Sequence, residues 1–357
     1  MNHKIYFTPG PSQIYYTVSD HLKSAVKEDV MCISHRSAAF QKIFESTRLS
    51  LRELLEIPDG YEIYFTSSAN EVWERIIQNL VIDSSHHFTN GSFAKKFHQF
   101  ALSYQKNSTS TLVDDGQDFT DLSVPEKAEL ISVTLNETSI GFGFDMEKLK
   151  ELRASYPDKL IALDGVSAFP AVKVDWQLVD TAYFSVQKCF GLPAGLGVWI
   201  VNQRCMEKYD QVKKAGIVTG SYHDLTDLKS NGDKNQTPET PNILGIYLLG
   251  KVCQDMLFRG AKMIQNDTIY KSTILYQALE QNPKFNPFIA NKKTRSKTVI
   301  VSECEGGNAG IVKLLGDKGF VIGKGYGSFK DSHIRIANFP VHSKEQIEMI
   351  CDLIAAY

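Results

Sequence analysis

The sequence predicts an α/β fold: a large domain on a mainly parallel sheet flanked by helices, followed by a smaller C-terminal α/β domain. Three observations point there. Short apolar runs alternate with helical periodicity through most of the chain. Most of those runs read as near-continuous apolar stretches, as strands buried on both faces do. The pattern then changes after the polar segment "SNGDKNQTPETPN" at 230–242. Strand–helix alternation of this kind builds a parallel sheet covered on both sides.

In chain order, Phe40, Ile43, Phe44, Leu51, Leu54 and Leu55 share one helical face. "EIYFT" (62–66) reads as a strand, and Val72, Ile76 and Leu80 mark the helix after it. "ELISVTL" (129–135), "KLIALD" (159–164), "TAYFS" (181–185) and "LGVWIVN" (196–202) read as further buried strands. Helices are predicted over 243–258 and 265–280, bridging the domains, then strands "KTVIVS" (297–302) and "SHIRIANF" (332–339). "SKEQ" (343–346) opens a last helix, with Ser343 and Gln346 fitting a capping box. The expected division is an arm over 1–14 packing near the active site, a large domain over 15–254 and a small domain over 255–357.

The 357 residues are 43% hydrophobic and 22% charged, ordinary for a soluble globular protein. A formal net charge of −2 gives no global basic field for nucleic acid or an anionic membrane. No apolar run is long enough to cross a bilayer. "MNHKIYFTPGPSQ" lacks the apolar core and cleavage site of a signal peptide. The six cysteines stand singly, with no C-x-x-C pair to hold a metal, so a reducing cytoplasm is expected and no metal is.

In open α/β sheets ligands bind beyond the carboxyl ends of the strands, so chemistry is sought just after each apolar run. "TSSANE" (66–71) stands between a strand and a helix. Its small residues and the helix N-terminus suit an anion, although Ser and Asn also cap helices routinely. "LNETSIGFG" (135–143) carries an amide, a carboxylate and two hydroxyls. Asp164 closes an apolar strand, where it either caps a turn or faces a cation in a pocket. Lys188 follows "TAYFS", where an amine is either solvated or, with a lowered pKa, a nucleophile. An anion cradle, a buried carboxylate and a lysine on one sheet edge match the needs of pyridoxal phosphate.

With those residues in place, the sequence resembles class V, fold-type-I pyridoxal-phosphate aminotransferases from "FTPGPS" (7–12) to "RIANFP" (335–340). "SHRSAAF" (34–40), "NETSIG" (136–141), "DGVSAFP" (164–170) and "VQKCFGLPAGLGVWIV" (186–201) carry the resemblance by their order and spacing. It implies Lys188 as the Schiff-base lysine, Gln187 on the cofactor, Asp164 on the pyridine nitrogen and Thr138 near the phenolic oxygen. It also implies Phe93 against the ring, where the family often has tryptophan, and Ser68, Ala69 and Asn70 at the phosphate, without the usual glycines. Thr240 in "TPETPN" matches a residue reaching the phosphate from a neighbouring subunit, which implies a homodimer with shared active sites. Arg335 matches the arginine that grips the substrate α-carboxylate.

Within the class the chain is most similar to the phosphoserine aminotransferase branch, which implies phosphoserine and 2-oxoglutarate as substrates in serine biosynthesis. His35 and Arg36 would bind the substrate phosphate. The branch's second His-Arg pair is missing from "GYGSFKDSHIR", where His333 and Lys330 are the nearest substitutes. The serine or alanine:glyoxylate branch shares the H-R-S motif and the "PGPS" start and is the alternative. Outside the class stand a cysteine desulfurase-like enzyme, which would need Cys304 on a mobile loop, and a non-catalytic regulator of the same fold.

Overall fold

The computed structural model describes residues 4–357; positions 1–3 of the expected arm lie outside the described residues. The strands follow in chain order. They are β1 (Ile5–Phe7), β2 (Tyr61–Thr66), β3 (Ser85–Thr89), β4 (Thr109–Leu112), β5 (Leu130–Thr134), β6 (Asn136–Glu137) and β7 (Phe142–Gly143). After these come β8 (Leu160–Asp164), β9 (Thr181–Ser185), β10 (Gly197–Asn202), β11 (Phe285–Pro287), β12 (Val299–Cys304), β13 (Phe320–Lys324) and β14 (His333–Ala337).

Seven strands form the large sheet in the order β2-β10-β9-β8-β5-β3-β4. Four of its pairings are parallel, from β9 through to β4. The exception is β10, antiparallel to both β2 and β9. The chain therefore leaves β9, turns through the Lys188 loop and re-enters the sheet from the same edge. That reversal places Gly197, the first residue of β10, beside the carboxyl ends of its neighbours. A Cβ at Gly197 would lie 2.5 Å from the Ser68 carbonyl carbon, so glycine lets β10 pass under the turn before the next helix.

Periodicity finds the apolar strands but passes over β3, "SHHFT", which is buried along its whole length. Its histidines are held neutral by burial: His86 is lowered to about 4 and His87 goes well below its usual range. Their side chains meet hydroxyls instead of water, Ser85 on His87 (2.8 Å) and Thr109 on His86 (2.8 Å).

The helix Ala38–Leu54 buries Phe40, Phe44, Leu51 and Leu54, four of the six positions on the expected face, and leaves Ile43 and Leu55 half-buried. Each fully buried side chain of this size is worth roughly 1.5–3 kcal/mol against exposure. It packs on the helix Ile243–Arg259, where Thr47 Oγ1 donates to the Ile246 carbonyl at 3.0 Å. Gly260, at φ +95°, ends that helix, and Ala261–Gln281 follows directly, longer at its start than the expected 265–280. The last helix opens with the capping box of Ser343 and Gln346.

The smaller sheet runs β1-β13-β14-β12-β11, with β1 parallel to β13 and the other pairings antiparallel. One of its edge strands thus comes from the start of the chain. Residues 12–15 then return to the large sheet, where Ser12 N–H donates to the Gln187 carbonyl and Tyr15 N–H to that of Gly191.

At the amino-terminal edge of the parallel strands, away from the Lys188 loop, Asp180 is 1% exposed and anchors four donors. Arg153 pairs with it, Ile161 N–H reaches it at 2.8 Å, Asn202 Nδ2 at 2.9 Å and Arg204 Nη1 at 3.0 Å. Replacing Asp180 with alanine leaves a nearly buried guanidinium unpaired, so unfolding in urea should show a loss of about 3 kcal/mol or more. A midpoint shift worth less than ~1 kcal/mol would contradict this account of the edge.

Candidate active site

The carboxyl ends of β5, β8 and β9, the turn before the helix Ala69–Leu80 and the Lys188 loop enclose a cleft of ≈ 610 Å³, open mouth included. Of the residues singled out in the sequence, Ala69, Asn70, Phe93, Thr138, Asp164, Gln187 and Lys188 all line it. Gly10 lines it too, at φ +132°; a Cβ there would sit 3.0 Å from Lys188 Cε and Cγ, so the arm closes directly on the lysine stem.

Lys188 is 7% exposed. Its Nζ donates to Thr138 Oγ1 at 3.2 Å and lies 5.2 Å from the centre of the Phe93 ring. Burial lowers its pKa to about 8, against the opposing pull of Asp164. Asp164 is 5% exposed, and burial raises it to about 7. Its carboxylate accepts from Val166 N–H at 2.9 Å, and in the sheet it stands opposite Tyr183, whose hydroxyl accepts from Trp73 Nε1 at 2.8 Å. Desolvation therefore drives both ionisable groups of the cleft floor toward neutrality.

Thr138 belongs to a chain of hydroxyls: its Oγ1 bonds Ser167 Oγ (2.8 Å), which also accepts from Asn136 Nδ2 (2.7 Å). Its neighbours in the motif do a different job, which the sequence reading missed. Glu137 is wholly buried, and its carboxylate accepts from the backbone N–H groups of Phe93 (3.1 Å), Ala94 (2.9 Å) and Ser139 (3.0 Å). It thus satisfies the start of the helix Ser92–Ser103 and fixes Phe93 over the cleft. A Cβ at Gly91 would lie 2.3 Å from Glu137 Cγ, so glycine is needed for the carboxylate to come so close. The available signal was an acidic residue inside an otherwise uncharged stretch, "LNETSIGFG".

Ser68 acts as the N-cap of Ala69–Leu80, accepting from Glu71 N–H at 3.3 Å, while Ala69 N–H is held by Ser185 Oγ at 2.8 Å. The helix still points its positive end at the cleft through Ala69 and Asn70. Arg335 stands above, its Nε on the Lys324 carbonyl (2.8 Å) and its guanidinium 5.3 Å from the Tyr326 ring. Tyr326, from "GKGYGS", in turn lies 5.5 Å from Phe93, ring centre to ring centre.

The remaining candidates lie elsewhere. Thr240 Oγ1 meets His35 Nδ1 at 3.4 Å, and neither borders the Lys188 cleft. Arg36 is held by Asn231 (3.0 Å), Gln236 (2.7 Å) and the carbonyls of Thr237 (2.9 Å) and Pro238 (3.0 Å). All four acceptors are neutral, so its charge is oriented but meets no carboxylate among the described residues. His333 is buried between Phe288 and Phe329, with Nδ1 on Ser332 Oγ at 2.8 Å. Cys304 is buried in the core of the small sheet, and burial pushes its thiol up to about 12, the opposite of an accessible sulfur acceptor.

The cleft fits the cofactor expected from the sequence on its own geometry. Gln187 Oε1 is buried there with no hydrogen-bond partner among the described residues. Asp164 makes no salt bridge among the described residues, and the Lys188 amine ends against an aromatic face. A protonated ring nitrogen for Asp164, a carbonyl carbon for Lys188 and a hydroxyl donor for Gln187 answer all three, and an anionic arm meets the helix N-terminus at Ala69 and Asn70.

The comparisons agree. The family model for class V aminotransferases matches residues 5–337. The phosphoserine aminotransferase of Rhodococcus opacus (strain B4) is 26% identical over 352 residues, covering 96% of this chain and 92% of its own. The crystal structure of a phosphoserine aminotransferase from Cytophaga hutchinsonii is 42% identical, with a TM-score of 0.98 over 100% of this chain and 99% of that one. An aspartate aminotransferase from Thermus thermophilus, 20% identical with a TM-score of 0.85 over 99% and 98% of the two chains, shares the fold. The chain belongs to the class V aminotransferase family and is a pyridoxal-phosphate-dependent enzyme.

Proposed function

We propose that this enzyme is a phosphoserine:2-oxoglutarate aminotransferase that acts as a homodimer with shared active sites, in a ping-pong cycle. The observation that carries the reading is the Lys188 amine, buried in the cleft and lowered to about 8, with Thr138, Phe93 and Asp164 around it. The substrate assignment draws on the 42% identical phosphoserine aminotransferase, which matches over the whole chain.

When bound, pyridoxal phosphate supplies an electron sink for charge developing at the substrate α-carbon. Lys188 Nζ, with its lowered pKa, would take the proton from that carbon and deliver it to the carbon that began as the cofactor's carbonyl. Asp164 sets its carboxylate against the ring nitrogen, oriented by Val166 N–H. Phe93 offers the ring an aromatic surface, while Thr138 and Gln187 present their polar ends to its substituents. Ser68, Ala69 and Asn70 bring the helix N-terminus to the phosphate. Arg335 pairs its planar guanidinium with the substrate α-carboxylate.

Thr240 serves the neighbouring subunit's phosphate, and His35 and Arg36 the substrate phosphate. The charge of Arg36, which meets no carboxylate among the described residues, supports that role, and its hold on 231–238 orders the segment leading to Thr240. We place the domain limits at 15–254 and 255–357, with the arm over 1–14; the two sheets support a two-part division, and the limit itself falls inside the helix Ile243–Arg259. No helix among the described residues is long and apolar enough to cross a membrane. A cytoplasmic location accords with the six unpaired cysteines.

Reducing the cofactor-loaded enzyme with borohydride and mapping its peptides should place the cofactor's mass on Lys188. Mass on any other lysine ends this reading. Asp164→Asn should keep cofactor yet lose turnover by ~10²-fold or more, the scale of one charge-assisted contact in a transition state. Near-normal turnover in the loaded variant would contradict the role given to Asp164. In single half-reactions, phosphoserine should bleach the bound cofactor's absorbance at the lowest concentration, ahead of serine and alanine. Preference for serine or alanine would move the enzyme to the glyoxylate branch.

A further inference from the structure

His223 is 1% exposed, yet both of its ring nitrogens end on carboxylates. Nδ1 meets Glu71 Oε1, and Nε2 meets Glu239 Oε2 at 2.7 Å. A neutral imidazole has only one N–H, so two carboxylate partners call for the imidazolium. Burial opposes that charge, but the two carboxylates prevail and raise His223 to about 9, while His223 and Ser67 together lower Glu71 to about 2. The backbone at His223 takes φ +54°, unusual for a residue with a side chain, to bring the ring into line. The Tyr222 ring stacks on it at 4.0 Å, and Arg75 Nη1 fixes that loop through the Tyr222 carbonyl at 2.6 Å. Glu71 and Glu239 face the imidazole nitrogens and Tyr222 faces its ring, while Arg75 reaches only the Tyr222 carbonyl of the same loop.

The two carboxylates belong to different parts of the cofactor site. Glu71 lies in the first turn of Ala69–Leu80, and its other oxygen accepts from Ser67 N–H (2.7 Å) and Ser67 Oγ (2.6 Å). It therefore shapes the turn that presents Ser68, Ala69 and Asn70. Glu239 directly precedes Thr240, and its carbonyl is bonded by Thr237 Oγ1 at 2.7 Å. A cleft of ≈ 430 Å³, open mouth included, is lined by Ser67, Gly195, His223, Glu239 and Thr240, residues of both segments among them.

We propose that His223 is a positioning residue for the cofactor phosphate: by gripping Glu71 and Glu239 at once, it sets the Ser67–Asn70 turn relative to Thr240. The proposal rests on the assignment of those residues to the phosphate. In a homodimer with shared sites, Ala69 and Asn70 face a subunit's own cofactor and Thr240 its neighbour's, so one imidazolium then ties two active sites together.

The pH dependence has a definite sign. A histidine whose folded pKa is raised contributes its bonds below that value and loses them as pH rises through it, here through about 9. Cofactor dissociation constants of the wild-type enzyme, His223→Gln and Glu239→Gln, measured from pH 7 to 10, test the proposal. At pH 7.5 His223→Gln should bind pyridoxal phosphate about 10- to 100-fold more weakly, as expected for lost hydrogen bonds to charged groups. The gap from wild type should close as pH passes 9, because the wild-type clamp then opens. Affinity within about twofold of wild type at pH 7.5 in a folded variant, or a gap that does not change with pH, overturns the proposal. If His223→Gln does not fold, Glu239→Gln, at a partly exposed position that leaves the bond to Glu71 intact, decides by the same two readouts. A wild-type protein that binds cofactor through a lysine other than Lys188 overturns the assignment of the cleft itself, and this proposal with it.

Discussion

An amine and a carboxylate sit on the floor of the cleft with little water to solvate either, and much of the structure serves to keep them there. Lys188 and Asp164 are carried at the ends of neighbouring strands, β9 and β8, so the sheet itself fixes their separation. Burial moves each toward its neutral form, the amine down to about 8 and the acid up to about 7. Such groups change protonation near neutral pH, where free lysine and aspartate do not. Their surroundings are correspondingly rigid: Val166 N–H on the carboxylate, Thr138 on the amine, and a chain of hydroxyls and amides behind Thr138.

Close backbone approach is the second requirement. At Gly10 a methyl group would crowd the Lys188 stem, and at Gly91 and Gly197 it would collide with the Glu137 side chain and the Ser68 backbone. Each glycine brings a different segment against the cleft: the arm, the Phe93 helix and the reversed strand β10. The compact site is thus bounded by missing side chains as much as by those it displays.

The parts legible in the sequence were those where one physical signal dominates. Runs such as "LIALD" and "TAYFS" are buried along their whole length because the sheet is covered on both sides, and the residues that close or follow them line the cleft. Strand β3 was illegible because its burial is satisfied by neutral histidines and hydroxyls, which periodicity counts as polar. Strands β1, β11 and β13 are short or contain glycine or proline. The reversal of β10 leaves no mark in hydrophobicity, since an antiparallel strand buried on both faces has the composition of a parallel one. Glu137 and His223 escaped for a related reason: their importance lies in partners distant in sequence, Phe93 for one and both Glu71 and Glu239 for the other.

Strand β1 carries a consequence for how the molecule is made. Ile5 pairs with Phe320 and Phe7 with Ile322, and the same segment reaches Lys188 a few residues later. During synthesis this strand emerges more than 300 residues before its partner. Until then its unpaired edge is exposed to any strand that passes, the circumstance in which nascent chains aggregate or engage chaperones. Docking the arm is therefore a late step. Because Gly10 completes the wall around Lys188, the cleft acquires its final shape only when the small sheet has closed.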